Sequence, residues 1–208
     1  MTTTKDRLIS ATSELFRLRG YAGTGVKQIV EAAGVPFGSM YHFFPAGKEE
    51  LGAETIRWSG AMYGLLIEYF FSGDGDPVEA TRQFFAGAAE HVHETDYVDA
   101  CPIATVALEV ASTNETLRLA TAEVFESWLA ALDGHFTRLG LTRAEARNVS
   151  VSLFCLLEGS FILARATRDH AHIVTAGQVA ADTVRAALEA ATRTSRRRGG
   201  HLPLTSPE

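Results

Sequence analysis

Residues 26–44, VKQIVEAAGVPFGSMYHFF, constrain the fold more than any other stretch of the chain. Val26, Ile29, Val30 and Ala33 recur at helical spacing, which predicts a short helix with a single apolar stripe. Gly34 stands just past the last periodic residue, where a glycine takes the left-handed conformation that closes a helix. Pro36 suits the first position of a second helix, because no backbone bond is lost there. In that helix Met40 and Phe44 share a face flanked by Val35 and Phe43, while Phe37, Gly38, Ser39, Tyr41 and His42 occupy the remainder. Helices this short do not persist alone. The apolar faces must dock on neighbours, which leaves the other face for a partner, and a helix pair of this kind is a helix-turn-helix fitted to double-stranded DNA.

Net charge bears on that partner. The chain of 208 residues carries −6, which at first argues against nucleic acid, but the distribution matters more than the sum. Through Phe44 the balance is +2, from Lys5, Arg7, Arg17, Arg19 and Lys27 against Asp6, Glu14 and Glu31, so the remaining residues carry −8. A mildly basic head on an acidic body lets one end meet phosphates. With 46% hydrophobic and 21% charged residues the chain has the composition of a soluble globular protein able to bury a core. No apolar run approaches the ~18 residues of a membrane span, and the opening MTTTKDRL has no apolar leader, so a cytoplasmic protein with no membrane partner is expected. Cys101 and Cys155, 54 positions apart and outside any CxxC or Cys/His pattern, are expected as two reduced, buried thiols rather than a disulfide or zinc pair.

Taken in order, residues 4–18 form a first helix with Leu8, Ala11, Thr12, Leu15 and Phe16 inward, stopped by Gly20. Thr24 is placed to cap the helix that begins at Val26. The Gly20, Gly23 and Gly25 cluster is no phosphate cradle, since no strand precedes it and no Gly-Lys-Ser/Thr follows. A long helix runs from about Lys48 to Phe71, its inner side marked by Leu51, Thr55, Trp58, Met62, Leu65, Leu66 and Tyr69. After the break at residues 72–76, Asp76-Pro77-Val78-Glu79 opens a helix that fades near Asp96. Cys101-Pro102 opens another, and a further one spans Glu115 to Arg138. Thr142 with Glu145 and Thr175 with Gln178 are capping-box patterns that open the last two helices, the second ending near Thr194. Residues 195–208 lack periodicity and are expected to be a disordered, solvated tail despite Arg196, Arg197 and Arg198. The fold class is therefore all-α, with about nine helices: residues 1–46 as a helix-turn-helix domain and 47–194 as a helical body.

The string Ile29-Val30-Glu31-Ala32-Ala33-Gly34, the Gly38-Ser39-Met40-Tyr41-His42 core and the Phe44-Pro45-Ala46-Gly47-Lys48 spacing resemble the TetR family of transcriptional regulators, and with Cys101-Pro102-Ile103 the subgroup that includes multidrug-efflux repressors. The resemblance is strong over residues 4–58 and beyond them rests on helix number and order. It implies a homodimer whose third helices enter successive major grooves and whose bodies hold a small-molecule inducer. The chain departs from the pattern at Val30, Pro36 and Phe37, where relatives carry Ala, Ser and a basic or polar residue, so sequence preference does not transfer from them.

The residues expected at DNA are Thr24 and Lys27 beside the groove, Phe37, Gly38, Ser39, Tyr41 and His42 in it, and Lys48 at the start of the fourth helix. Tyr41 and His42 can hydrogen-bond phosphates, Ser39 a phosphate or base edge, Phe37 a thymine methyl, and Gly38 lets the backbone come close. Lys48 joins its charge to the N–H groups of a helix start. In the body, Trp58, Met62, Phe84, Tyr97, Phe125, Trp128 and Phe154 are candidate walls of an apolar pocket, with Cys101, Glu109 and Glu158 as its polar groups; an acid there would favour a cationic ligand. His91-Val-His93 and His170-Ala-His172 place their rings on different helix faces and are expected to be solvated or capping, so no metal, cofactor or catalytic group is expected. Residues 149–164 are too apolar to stay half exposed, and Ala176, Ala180, Ala181, Ala187 and Ala190 allow close helix approach, so the last two helices are the expected homodimer surface. The competing reading is a helical ligand-binding protein or enzyme whose head has lost DNA binding, supported by Phe37 and the net charge.

Overall fold

The computed structural model describes residues 3–99 and 101–199, which hold nine helices and no strand. They are α1 (Thr4–Arg19), α2 (Val26–Ala33), α3 (Phe37–Phe43), α4 (Lys48–Phe71), α5 (Pro77–Glu94), α6 (Pro102–Val110), α7 (Glu115–Arg138), α8 (Arg143–Thr167) and α9 (Ala171–Gly199). Their ends follow local chemistry. Asp76 accepts from the Val78 N–H ahead of Pro77, Asn114 from Leu117, and Thr142 and Glu145 close a reciprocal capping box. Gly34 lies in the left-handed region at φ 62°, and the Val35 N–H returns to the Val30 carbonyl.

Several local expectations are corrected. Pro36 is the N-cap of α3 rather than its first residue. Gly25, not Thr24, caps α2, with its N–H held by the Gln28 side chain at 2.9 Å. The pattern at Thr175 falls inside α9, whose first N–H groups are served by Asp169 at 2.9 Å to Ala171. The last helix runs to Gly199, so the expected disordered tail is helical over 195–199; residues 200–208 lie outside the described residues.

Two apolar clusters organise the molecule. The head is built on Leu8, Ile9, Ile29, Val30, Ala33, Met40, Phe44 and Leu51, contributed by α1, α2, α3, the residue that follows α3 and the first turn of α4. Arg7 clamps this unit by donating from Nη2 to the Gly34 carbonyl at 2.8 Å, so α1 serves the C-terminus of α2. The second cluster fills the body and draws on every helix from α4 to α9, with Phe16 of α1 reaching in. Close approach of α4 to α7 depends on a glycine: a Cβ at Gly60 would sit 2.4 Å from a methyl of Val124, and the Gly60 carbonyl accepts from Trp128 Nε1 at 2.8 Å.

The inner side of α4 differs from the expected stripe. Leu51 and Thr55 are buried, but so are Gly52, Ile56, Ser59, Gly60, Ile67 and Phe71, while Trp58, Met62, Leu65, Leu66 and Tyr69 are exposed. Small residues form the contact face because α7 lies so near. The alanines of α9 are corrected as well: Ala176, Ala180 and Ala181 are buried within the chain, where α9 packs on α5 and α8. Cys155 is exposed and only Cys101 is buried, both as free thiols. Among the described residues α8 is long and apolar enough to cross a membrane by length and composition, yet it is packed between α7 and α9.

Candidate nucleic-acid interface and ligand cavity

In α3 the chain divides its side chains between two environments. Met40 is fully buried, as is Phe44 just after the helix, while Phe37 is 53% and Tyr41 48% exposed. The two exposed rings lie 5.8 Å apart in a tilted pair, so each limits the other's freedom. His42 is exposed with its ring edge-on to Phe43 at 4.8 Å, and Ser39 is half-buried. Gly38 has open space where a Cβ would be. Its φ is not positive and no neighbour crowds it, so nothing within the chain requires a glycine in a helix that the residue weakens. An aromatic, small and polar face with no internal work is what a groove-reading helix presents.

The flanking candidates separate. The Lys27 side chain is 83% exposed, with Glu31 at 3.9 Å. Thr24 is fully buried and its hydroxyl donates to the Gly20 carbonyl at 2.7 Å, so its side chain is not presented to DNA. Lys48 is half-buried: Nζ donates to the Tyr21 carbonyl at 2.7 Å and lies 3.9 Å above the Tyr21 ring. Burial lowers its pKa against the opposing pull of Glu109. Its ammonium is thus engaged in bracing the loop between α1 and α2. The head's positive balance is also less available than its sum implies, since Lys5 pairs with Glu54 and Arg17 with Glu14 and Asp99.

A cavity of about 360 Å³ opens in the body between α4, α5, α7 and α8. Of the candidate pocket residues, Phe84, Cys101, Trp128, Phe154 and Glu158 line it. Phe154 stacks on Trp128 at 5.8 Å and 10°, and the bond from Trp128 to Gly60 fixes the indole. Glu158 supplies the polar corner together with Cys101. Burial pushes the Glu158 carboxyl up to about 7, while its bond to Cys101 pulls the other way. Cys101 itself is held well above the usual thiol range, first by burial and then by Glu158, so it is a protonated donor and not a reactive thiolate.

Trp58, Met62, Tyr97, Glu109 and Phe125 do not line this cavity. Trp58 and Met62 lie on the exposed side of α4. Phe125 packs edge-on to Trp128 at 5.7 Å, behind the wall. Glu109 points the other way, accepting from the Ala22 N–H at 2.8 Å and so tying α6 to the head. Tyr97 meets the corner of α8 and α9, its hydroxyl 3.4 Å from Nδ1 of both His93 and His170. The two histidine motifs therefore converge, their rings 4.7 Å apart at His93 and His170, and no cluster of three or more metal-ligating side chains occurs among the described residues. The cavity is also lined by residues that the sequence does not single out as its walls, among them Tyr63, Leu66, Ile67, Tyr69 and Phe70 on α4, His91 on α5, and Leu157 and Phe161 on α8. Their signal was positional: 63, 67 and 70 follow one helical stripe, as do 84, 88 and 91, and 154, 158 and 161.

A helix-turn-helix head joined to an all-helical body with an aromatic cavity defines a one-component DNA-binding regulator. Residues 8–55 match the family model of bacterial regulatory proteins of the tetR family, and residues 77–179 that of the LmrA/YxaF-like transcriptional regulator C-terminal domain. The chain belongs to the TetR family of transcriptional regulators. It is 34% identical over 165 residues to the HTH-type transcriptional regulator YxaF of Bacillus subtilis, spanning 79% of this chain and 86% of that one. It is 28% identical over 159 residues to LmrA of the same organism, spanning 76% and 85%. In fold it is similar to a TetR regulatory protein of Rhodobacter sphaeroides, with TM-score 0.74, 23% identity and coverage of 85% and 96%. It is likewise similar to the reduced form of Escherichia coli NemR, with TM-score 0.72, 23% identity and coverage of 84% and 94%.

Proposed function

We propose that this chain is a homodimeric repressor working in the cytoplasm, held on its operator by Phe37, Gly38, Ser39, Tyr41, His42 and Lys27 and released by a small aromatic inducer in the body cavity, without catalysis of its own. The observation that carries this reading is the aromatic cavity of about 360 Å³ in a body joined to a helix-turn-helix head. An apolar cavity of ~150 Å³ already holds a benzene-sized guest, so this one suits a ligand of about two rings. Glu158 and Cys101 favour a single polar group on it. A division at residues 46 and 47 is supported by the Gly47 cap of α4 and by the two apolar clusters, which cross that boundary at Leu51 and Phe16.

Dimerisation through α8 and α9 is supported by the stripe Val151, Cys155, Ile162 and Leu163 on α8, with Val174 and Val179 on α9, all exposed in the single chain. Covering that stripe with its own copy gives a two-fold interface that sets the separation of the heads. A ligand then weakens operator binding by its differential affinity for the two head spacings. Both α4, from Lys48 to the cavity wall at Phe70, and α6, from Cys101 at the cavity to Glu109 at the head, span the distance involved.

The test is a gel shift with the DNA just upstream of the gene, at low salt. Retardation by the wild-type protein is expected, and Tyr41→Ala weakens it by about 1–2 kcal/mol, similarly across sequences, since a phosphate contact is lost. Sedimentation should find a dimer at micromolar concentration. Wild-type protein that leaves the duplex unretarded, or sediments as a monomer, sinks the reading.

A further inference from the structure

Three parts of the molecule meet at the loop between α5 and α6. At its end Asp99 is only 3% exposed. Its Oδ2 accepts from Arg17 Nη1 at 2.7 Å and from His91 Nε2 at 2.9 Å. Arg17 belongs to α1, and its other nitrogens grip Glu14 at 2.5 and 3.1 Å, which fixes the guanidinium to the head helix and leaves Nη1 turned toward Asp99. His91 lines the cavity. One carboxylate oxygen therefore stands between the cavity wall and the first helix of the head. The other, Oδ1, is buried and has no hydrogen-bond partner among the described residues. A desolvated carboxylate supported on one atom depends heavily on both of its donors.

The opposite side of the loop is held by the helices of the proposed dimer surface. Asp96 and Tyr97 have consecutive positive φ values of 51° and 61°, a conformation that costs free energy in a tyrosine and persists only where the surroundings impose it. The imposing groups come from the junction of α8 and α9. Arg168 pairs with Asp96 and lies 5.3 Å over the Tyr97 ring, and Arg165 Nε donates to the Tyr97 carbonyl at 3.2 Å. A strained segment braced on one side and joined to cavity and head on the other is suited to two discrete arrangements.

We propose that Asp99 is the coupling residue of this regulator, relaying occupancy of the cavity from His91 to the head through Arg17. The proposal rests on the reading of the cavity as the inducer site. A ligand that draws the His91 imidazole toward itself removes one donor from Oδ2. Asp99 and the loop then resettle, and Arg17 moves with them. Because α1 shares its core with α2 and α3 and holds the Gly34 carbonyl through Arg7, displacement at Arg17 reorients the reading helix.

The test uses the full-length protein, the upstream duplex and the neutral two-ring dye prodan as cavity probe. Prodan fluorescence gives the Kd of the dye with and without saturating duplex, and the ratio of the two is the coupling factor, which by reciprocity also governs duplex affinity. The wild-type ratio is expected to be at least about fivefold, and Asp99→Asn or Arg17→Gln brings it to within about twofold of unity while leaving the DNA-free prodan Kd within about twofold of wild type. Coupling that survives both substitutions overturns the relay and leaves the cavity reading standing. If Asp99→Asn does not fold, Arg17→Gln, at a partly exposed position, decides by the same criterion. A wild-type ratio of unity, or no prodan binding, overturns the cavity reading and the relay with it.

Discussion

The head and the body use their aromatic residues in opposite directions. In the head Phe44 is fully buried beneath α3, while Phe37 and Tyr41 project into solvent from a helix of seven residues. In the body Phe84, Trp128 and Phe154 turn inward around empty volume. A surface meant for DNA is made by leaving side chains without work inside the fold. A site meant for an apolar ligand is made by leaving a core incompletely filled. The two regions also differ in what holds them. The head rests on eight buried apolar residues, so each carries a large share of its stability, whereas the body spreads its load over six helices.

That difference in redundancy gives the largest expected effect. Phe44→Ala and Phe85→Ala each delete a fully buried ring and should each cost about 3–5 kcal/mol. In the head the loss should appear as a separate early transition in urea, followed by circular dichroism, while in a Trp58→Phe background, which removes the tryptophan beside α1, fluorescence of Trp128 in the body keeps its midpoint. Phe85→Ala should shift the body transition itself. If Phe44→Ala instead moves both probes together, head and body are one cooperative unit and the contrast drawn between them fails.

A smaller effect is expected from the polar corner of the cavity. The Glu158 carboxyl is pushed from 4.5 up to about 7 in the fold, mainly by burial. Between these values the folded state binds more protons than the unfolded one, so stability is full below about pH 4.5 and declines as pH rises through 7. Glu158→Gln mimics the protonated acid and should remove that decline, making the variant more stable than wild type at pH 8 by up to about 3 kcal/mol. His135, whose pKa is lowered by burial, contributes a slope of the opposite sign, so the difference between the two proteins is the diagnostic quantity. Urea midpoints across this range measure it, and a difference independent of pH would mean that Glu158 is ionised in the fold and that the cavity has a charged corner.

The contrast also governs what could be read from sequence. The signals for the end of α2 and the starts of α5 and α8 lie within a few residues of one another, as with Gly34, Asp76-Pro77 and the Thr142 box, and local chemistry settles such ends. The inner face of α4 is not local. Large residues occur on more than one side, and the side chosen for contact is the one where Gly52 and Gly60 let α7 approach, while Ser59 meets Ser13 of α1. Large apolar residues on α4 therefore include Trp58 and Met62, which are exposed away from the cavity, as well as Leu66 and Tyr69, which line it beside Tyr63 and Ile67. Thr24 was misread for a related reason, since its hydroxyl reaches back to Gly20 instead of forward to α2. The same holds for Glu109 and Asp99, whose roles depend on partners more than 80 positions away in sequence, Ala22 and Arg17.

The smallest change in bulk tests the claim about the head most directly. Gly38 lies in the first turn of α3 with open space where a side chain would begin, and its backbone is helical. Within the chain alone, Gly38→Ala should therefore be favourable, by about 0.5–1 kcal/mol, because alanine loses less backbone entropy in a helix. At a DNA interface the sign reverses, since the added methyl occupies the gap through which the backbone approaches the groove. The variant should melt slightly higher than wild type and bind the upstream duplex less tightly, with dimerisation unchanged in sedimentation. A variant that is both more stable and equally tight on DNA would show that α3 does not approach the groove at this residue, and the exposed aromatic pair Phe37 and Tyr41 would then need another partner.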